Sequence, residues 1–239
     1  MNELTAIPAG FAAFLRSSNR LQFLTQARSF GCTECNSFRN PATHTATMSE
    51  HDFRSLQGCF LTASEHLRDP NFYRSVVLML EHSAEGAMGL VINRPSATSI
   101  GKALGGSDNV NDAGAPVFIG GPVEPTSLFI LHNCARLAAS DREVSPGIFL
   151  AGSEHSFETV VRTPLQEPGQ QRFRLISGYS GWGPQQLEGE IARGDWHLQP
   201  ADSTLILEDN PYGIWEVCRR RLRRMHRLLQ TDVRNPEWN

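Results

Sequence analysis

The sequence predicts an α+β fold, and three observations carry that prediction. Strand-like runs outnumber helical ones, tight turns join many of them, and neither a repeat period nor a low-complexity segment breaks residues 48–239. A doubly wound parallel sheet would need helical crossovers between its strands. One domain suffices for this span.

Residues 1–47 differ in kind. They are rich in Ser, Thr, Asn and Arg and run into the breaker-containing "FRNPATHTATMSEHD". The expectation is a disordered tail or a misassigned start, with translation beginning at Met48. The patch "AGFAAFLRSSNRLQFLTQARSF", with Arg16, Arg20 and Arg28, has some look of a targeting segment, but Glu3 lies near its start and no small-residue cleavage site follows an apolar core.

From Ser49 the pattern is dense. "GCFLTAS" and "SVVLMLEH" read as strands, the second continuously apolar and therefore buried on both faces. "SAEGAMG" supplies turn chemistry, with a hairpin tip at Ala84 to Gly86, before the strand "LVINRP". "SIGKALGG" suggests a short helix, and "APVFIGGPVEPTSLFILHN" two strands around a Gly-Gly-Pro corner. "GIFLAGS" is a strand, "EHSFETVVRT" a helix with Phe157, Val160 and Val161 on one face, and "RFRLISGY" a strand. A helix at about Pro184 to Ala192, the strand "STLILED" and a last helix from Ile214 complete the order.

Composition removes several function classes. The chain has 239 residues, 40% hydrophobic and 20% charged, with a formal net charge of −3, so its overall field attracts neither nucleic acid nor an anionic membrane. No apolar run approaches the roughly 18 residues of a membrane span. Basic charge is almost wholly arginine, with Lys102 the only lysine. Cys32, Cys35, Cys59, Cys134 and Cys218 are odd in number and irregular in spacing, which argues against a secreted disulfide framework and for a reducing, cytoplasmic location.

The stretch "LISGYSGWGPQQLEGEIARGDW" places glycines between a strand and a helix, the geometry of a phosphate loop. Yet it lacks the Gly-Lys-Ser/Thr of a P-loop, and it reads Gly-x-x-Gly-x-Gly rather than Gly-x-Gly-x-x-Gly. Its glycines are read as permitting a sharp corner, with Tyr179 and Trp182 over it and Pro184 in the first helical turn. Ser180 lacks the second glycine of a nucleophile elbow, because Trp182 stands two residues on. Glu81 and His82, adjacent on a strand, point to opposite faces and cannot share a ligand without a bulge. Cys32 and Cys35 form a Cys-x-x-Cys with no second pair to complete a zinc site. In the final helix Trp215, Cys218, Leu222, Met225 and Leu229 make an apolar stripe, and Arg219, Arg220, Arg221, Arg223, Arg224 and Arg227 cover the other faces.

These motifs together resemble the YqgE/AlgH family of bacterial proteins. The matching residues are "GCFLTASEHLRDPNFYRSVVLMLEHSAEGAMGLVINRP", "VFIGGPVEP", "FILHN" and "GYSGWGPQQLEGEIARGDW", in order and at matching spacing over about Leu56 to Leu229. The resemblance implies a cytoplasmic single domain with a mixed, barrel-like β-sheet and helices packed around it. It offers no catalytic residue to carry over, and one member's link to transcriptional control of alginate synthesis implies a regulatory role. Ser180 departs from the family's usual small apolar residue and Cys134 from its frequent proline.

Three functional readings follow. The preferred one is a non-enzymatic regulatory or accessory module that binds a protein or small molecule through a corner built from Gly120, Gly121, Tyr179, Trp182 and Gly86. The second is DNA contact through Arg219, Arg220, Arg223, Arg224 and Arg227, against which a merely solvated basic face stands as the plainer account. The third is a hydrolase using Ser180 or His82. No cofactor, no metal and no membrane association are expected.

Overall fold

In the computed structural model, residues 55–105, 110–162 and 172–230 are described, with the side chains of the last helix described to Met225. The segment 1–47 and its Cys32–Cys35 pair lie outside the described residues. β1 (Cys59–Ala63) and β2 (Val76–Ser83) are the apolar runs of the sequence, and β3 (Gly86–Val91) returns from β2 through a two-residue turn that pairs Ser83 with Gly86. β4 (Pro95–Ser99) leads into α1 (Ile100–Ala103), whose first turn the Ser99 hydroxyl caps by accepting from the Lys102 amide. β5 (Pro116–Ile119) and β6 (Val123–His132) flank the Gly-Gly-Pro corner, and β7 (Arg142–Ser145) and β8 (Ile148–Leu150) form a short hairpin. Then come α2 (Glu154–Arg162), β9 (Phe173–Trp182), α3 (Gln186–Ala192), β10 (Trp196–Pro200), α4 (Ser203–Ile206) and α5 (Ile214–Gln230).

The strands hydrogen-bond in the order β10-β1-β2-β3-β9-β6-β8-β7, every neighbour antiparallel. β5 runs parallel beside β9 and antiparallel to β4, which makes the sheet mixed. The sheet curls into a half-barrel. Its far strand β7 comes back to β2, where Arg142 bonds Glu81 at 3.2 Å, and the Val144 carbonyl lies 3.4 Å from where a Cβ on Gly58 would stand.

Both faces of this sheet are covered. Along β2, Val76, Leu78 and Leu80 enter the concave core with Phe60, Leu90, Phe129, Leu131 and Ile176, which α4 and α5 close with Ile206, Ile214, Trp215 and Cys218. Val77 and Met79 alternate to the other face beneath α3, with Leu187, Trp182 and Trp196. On β6 and β9, Leu128, Ile130 and Leu175 turn outward against α1 and α2, including Phe157, Val160 and Val161. Each large side chain buried in this way contributes about 1.5–3 kcal/mol.

Three readings of the sequence are corrected, and one strand is added. "STLILED" begins as α4 because the Asp202 side chain caps it, accepting from the Thr204 amide at 2.9 Å. "LVINRP" is a strand only to Val91, and Pro95 opens β4 instead of ending β3. β9 continues through "GYSGW" to Trp182, so the corner falls at Gly183 to Gln185, after the glycines Gly178 and Gly181. β10 is an added strand: "WHLQP" alternates over only four residues before a proline, too short a run to mark a strand by itself, and it pairs residue for residue with β1 from Cys59↔Pro200 to Ala63↔Trp196.

Candidate functional site

The glycines of the predicted binding corner bring three backbones into contact. A Cβ on Gly120 would stand 2.3 Å from the Gly178 carbonyl oxygen, one on Gly121 2.3 Å from the Tyr179 carbonyl, and one on Gly86 2.4 Å from the Trp182 carbonyl. Gly178, at φ +71°, resets the alternation of β9, so that Ile176 and Tyr179, three residues apart, both face the concave core. The amides near the corner belong to the sheet: Gly120 donates to Ser177, and Val91 donates to Gly120.

Tyr179 and Trp182 are buried on opposite faces of β9. Tyr179 meets Phe129 edge-on with centroids 6.1 Å apart, its hydroxyl 3.5 Å from the Glu124 carboxylate. Trp182 packs between Phe72 and Trp196, and its indole donates to Glu190 at 2.9 Å.

Ser180 and His82 are committed to separate partners. The fully buried Ser180 hydroxyl donates to the Gly120 carbonyl at 3.0 Å. His82 accepts the Leu56 amide at Nδ1 (3.1 Å), which leaves its Nε2 hydrogen to donate to Glu188 at 2.8 Å. Glu81 and His82 thus act on opposite faces, toward Arg142 and α3 respectively.

A second polar cluster escaped the sequence reading. Asp141 Oδ2 accepts from His132 Nε2 at 2.9 Å, and Oδ1 accepts from the Ser156 hydroxyl at 2.6 Å and the Gly152 amide at 3.1 Å. His132 Nδ1 accepts the Cys134 amide at 3.2 Å, which fixes its tautomer. A hydrolytic triad sets the hydroxyl on the imidazole, whereas here both donate to the carboxylate and all three side chains are buried. Burial pushes the His132 imidazole below its ordinary range, against the raising pull of Asp141. The only local signal was Ser153, whose hydroxyl accepts the Ser156 amide at the start of α2. The three members come from a strand end, a turn and a helix.

The arginine-rich helix is partly neutralised. Arg219 and Arg223 both bond Glu65, the second at 2.9 Å, and Arg221 bonds Asp202 at 2.7 Å. Arg220 and Arg224 are exposed and make no ion pair among the described residues; the Arg227 side chain lies outside them. Trp215 donates to the Ala63 carbonyl at 2.8 Å, and two guanidinium groups stand over its ring, Arg74 at 5.0 Å and Arg219 at 4.7 Å. Arg74 takes a left-handed backbone (φ +52°), its carbonyl accepting from Asn93 at 2.9 Å, and its guanidinium also reaches the Tyr73 ring at 5.3 Å. Tyr73 is 50% exposed and Tyr212, three residues before Trp215, is 78% exposed. A hollow of about 400 Å³ opens on the other flank of α5, lined by Pro146, Gln199, Pro200, Ala201, Asp202, Ser203, Arg221 and Met225.

No helix among the described residues is long and apolar enough to cross a membrane, and no three His, Cys, Asp or Glu side chains there gather as a metal site.

Comparison with known proteins agrees with this architecture. Residues 60–226 match the family model DUF179, described as AlgH-like. A UPF0301 protein of Myxococcus xanthus is 40% identical over 170 residues, covering 70% of this chain and 91% of that protein. A UPF0301 protein of Chlorobaculum tepidum is 34% identical over 166 residues, covering 69% and 86%. The solution structure of the AlgH protein from Pseudomonas aeruginosa superposes with a TM-score of 0.58 at 28% identity, over 74% of this chain and 93% of that one. A crystal structure of a Corynebacterium diphtheriae protein shares the fold, with a TM-score of 0.54 at 23% identity over 68% and 85%. With its half-barrel and this sequence match, the chain belongs to the AlgH-like family, DUF179, whose members carry the name UPF0301.

Proposed function

We propose that the chain is a non-enzymatic accessory or regulatory module that works by docking a partner protein. The observations that carry this reading are the exposed rings of Tyr73 and Tyr212 near the start of α5: the Arg74 guanidinium stands over both Tyr73 and the buried Trp215, and Tyr212 lies three residues before Trp215. Tyrosine and arginine on a rigid base are the residue types that dominate protein interfaces energetically. The regulatory role implied by the family resemblance is consistent with such a surface. The docking face is placed here and not at Tyr179 and Trp182 because those rings are buried on opposite sides of one strand.

Support also comes from the state of the candidate nucleophile. Ser180 already donates its hydroxyl hydrogen to a backbone carbonyl, and His82 is bonded to α3. The test is affinity purification of the full chain, a Tyr73→Ala, Tyr212→Ala variant and a Ser180→Ala variant from native lysate, with quantitative mass spectrometry. A partner depleted at least about tenfold by the double alanine change and kept by Ser180→Ala is expected. Identical profiles for all three would end the reading. In parallel, duplex DNA retained at low salt and released by Arg220→Gln with Arg224→Gln would put DNA contact in its place.

A further inference from the structure

We propose that the hollow between β10, α4 and α5 binds a small monocarboxylate carrying a short aliphatic tail. Its volume of about 400 Å³ falls inside the roughly 300–1,000 Å³ range of small-molecule pockets. Pro146, Pro200, Ala201 and Met225 supply apolar walls, and Met225 is unbranched and adapts to what it contacts. The single cation in the lining, Arg221, is held in place. Asp202 Oδ1 is anchored by the Thr204 amide at 2.9 Å and hydroxyl at 2.6 Å, and Oδ2 holds one terminal nitrogen of Arg221 at 2.7 Å. Asp202 is thereby spent on donors already present, while the rest of the partly exposed guanidinium remains to be used. A guanidinium fixed at the lip of an apolar hollow matches a carboxylate on a short hydrocarbon chain.

One detail of the lining agrees. The Gln199 amide donates to the Thr62 hydroxyl at 2.6 Å, so this wall is rigid. The inference is independent of the docking face, which lies on the other flank of α5.

The experiment is an NMR titration of the isotopically labelled full chain with sodium hexanoate, hexylamine and hexan-1-ol. Hexanoate is expected to give saturable shifts confined to residues 199–203 and 221–225, with a Kd of roughly millimolar order for so small a ligand. Arg221→Gln should weaken it by about tenfold or more, and Arg220→Gln should leave it unchanged. Met225→Glu, which sets a like charge at the lip, should abolish binding in a chain whose spectrum stays folded. Tyr73→Ala with Tyr212→Ala should bind hexanoate as before, which separates failure of this site from failure of the docking face. Equal binding of hexylamine or hexan-1-ol, shifts that never saturate, or hexanoate affinity that survives Arg221→Gln would overturn the proposal.

Discussion

Asp141 shows what single residues do in this molecule. Its carboxylate gathers His132, Ser156 and the Gly152 amide, and so ties the end of β6 to the start of α2. Burial holds the His132 imidazole below its ordinary range against the raising pull of Asp141, while the Cys134 amide occupies Nδ1. A histidine whose folded pKa is lowered takes up its proton more readily in the unfolded chain, at a pKa of about 6.5. Its contribution to stability is therefore complete above about pH 6.5 and declines as pH falls from there toward the lower folded value. Unfolding free energies from urea melts between about pH 7.5 and 5.5 should fall by up to about 1.4 kcal/mol per pH unit from this group, and His132→Gln should lack that part of the slope. Equal slopes in the two proteins would remove His132 from the account.

Among the elements, α3 is tied to the sheet by two carboxylates, Glu188 on His82 and Glu190 on two indoles. Glu190 Oε2 accepts the indoles of Trp182 at 2.9 Å and Trp196 at 2.8 Å, and Oε1 accepts the Gln186 amide at 3.0 Å. Phe72 closes the cluster, edge-on to Trp196 with centroids 5.3 Å apart. Replacing Glu190 by leucine strands two partly buried indole donors, and should lower the unfolding free energy by about 2–4 kcal/mol in urea. Glu190→Gln keeps an acceptor and should lose about half of that. A leucine variant as stable as the parent would mean that α3 is seated without Glu190. The same length scale explains why "STLILED" misled: four apolar or β-branched residues suggest a strand, but one capping aspartate ahead of them nucleates a turn of helix.

At the scale of the whole molecule, Arg174 joins parts of the chain that lie far apart in sequence. From β9 it bonds the Ile92 carbonyl after β3 and, at 2.7 Å, the Glu208 carbonyl after α4, with its guanidinium 4.0 Å over the Phe118 ring. Burial brings its pKa down to about 10, so the charge persists at neutral pH. A lysine there is a compact point charge that cannot fork to both carbonyls. Arg174→Lys should cost about 2 kcal/mol of stability, read from the urea midpoint at constant slope. A cost under about 0.5 kcal/mol would show that the half-barrel closes without this clamp.

The sequence by itself determined the α+β class, the strands β1 and β2 with the second of them buried, the hairpin turn after β2, the corner between β5 and β6, and the stripe of α5 from Trp215 to Leu222, whereas Met225, expected in that stripe, is 42% exposed. Each of these is written in local periodicity or turn chemistry, which acts within a few residues. Tertiary structure alone decided that β9 runs on through Tyr179 to Trp182, which puts these two rings on opposite faces of one strand, and that Gly178 turns Ile176 and Tyr179 to the same face. It also placed β10 against β1, set Arg219 and Arg223 on Glu65, and assembled His132, Asp141 and Ser156. Such pairings join residues remote along the chain, and their geometry is set by how the curled sheet closes on its helices, a property that no short window of sequence contains.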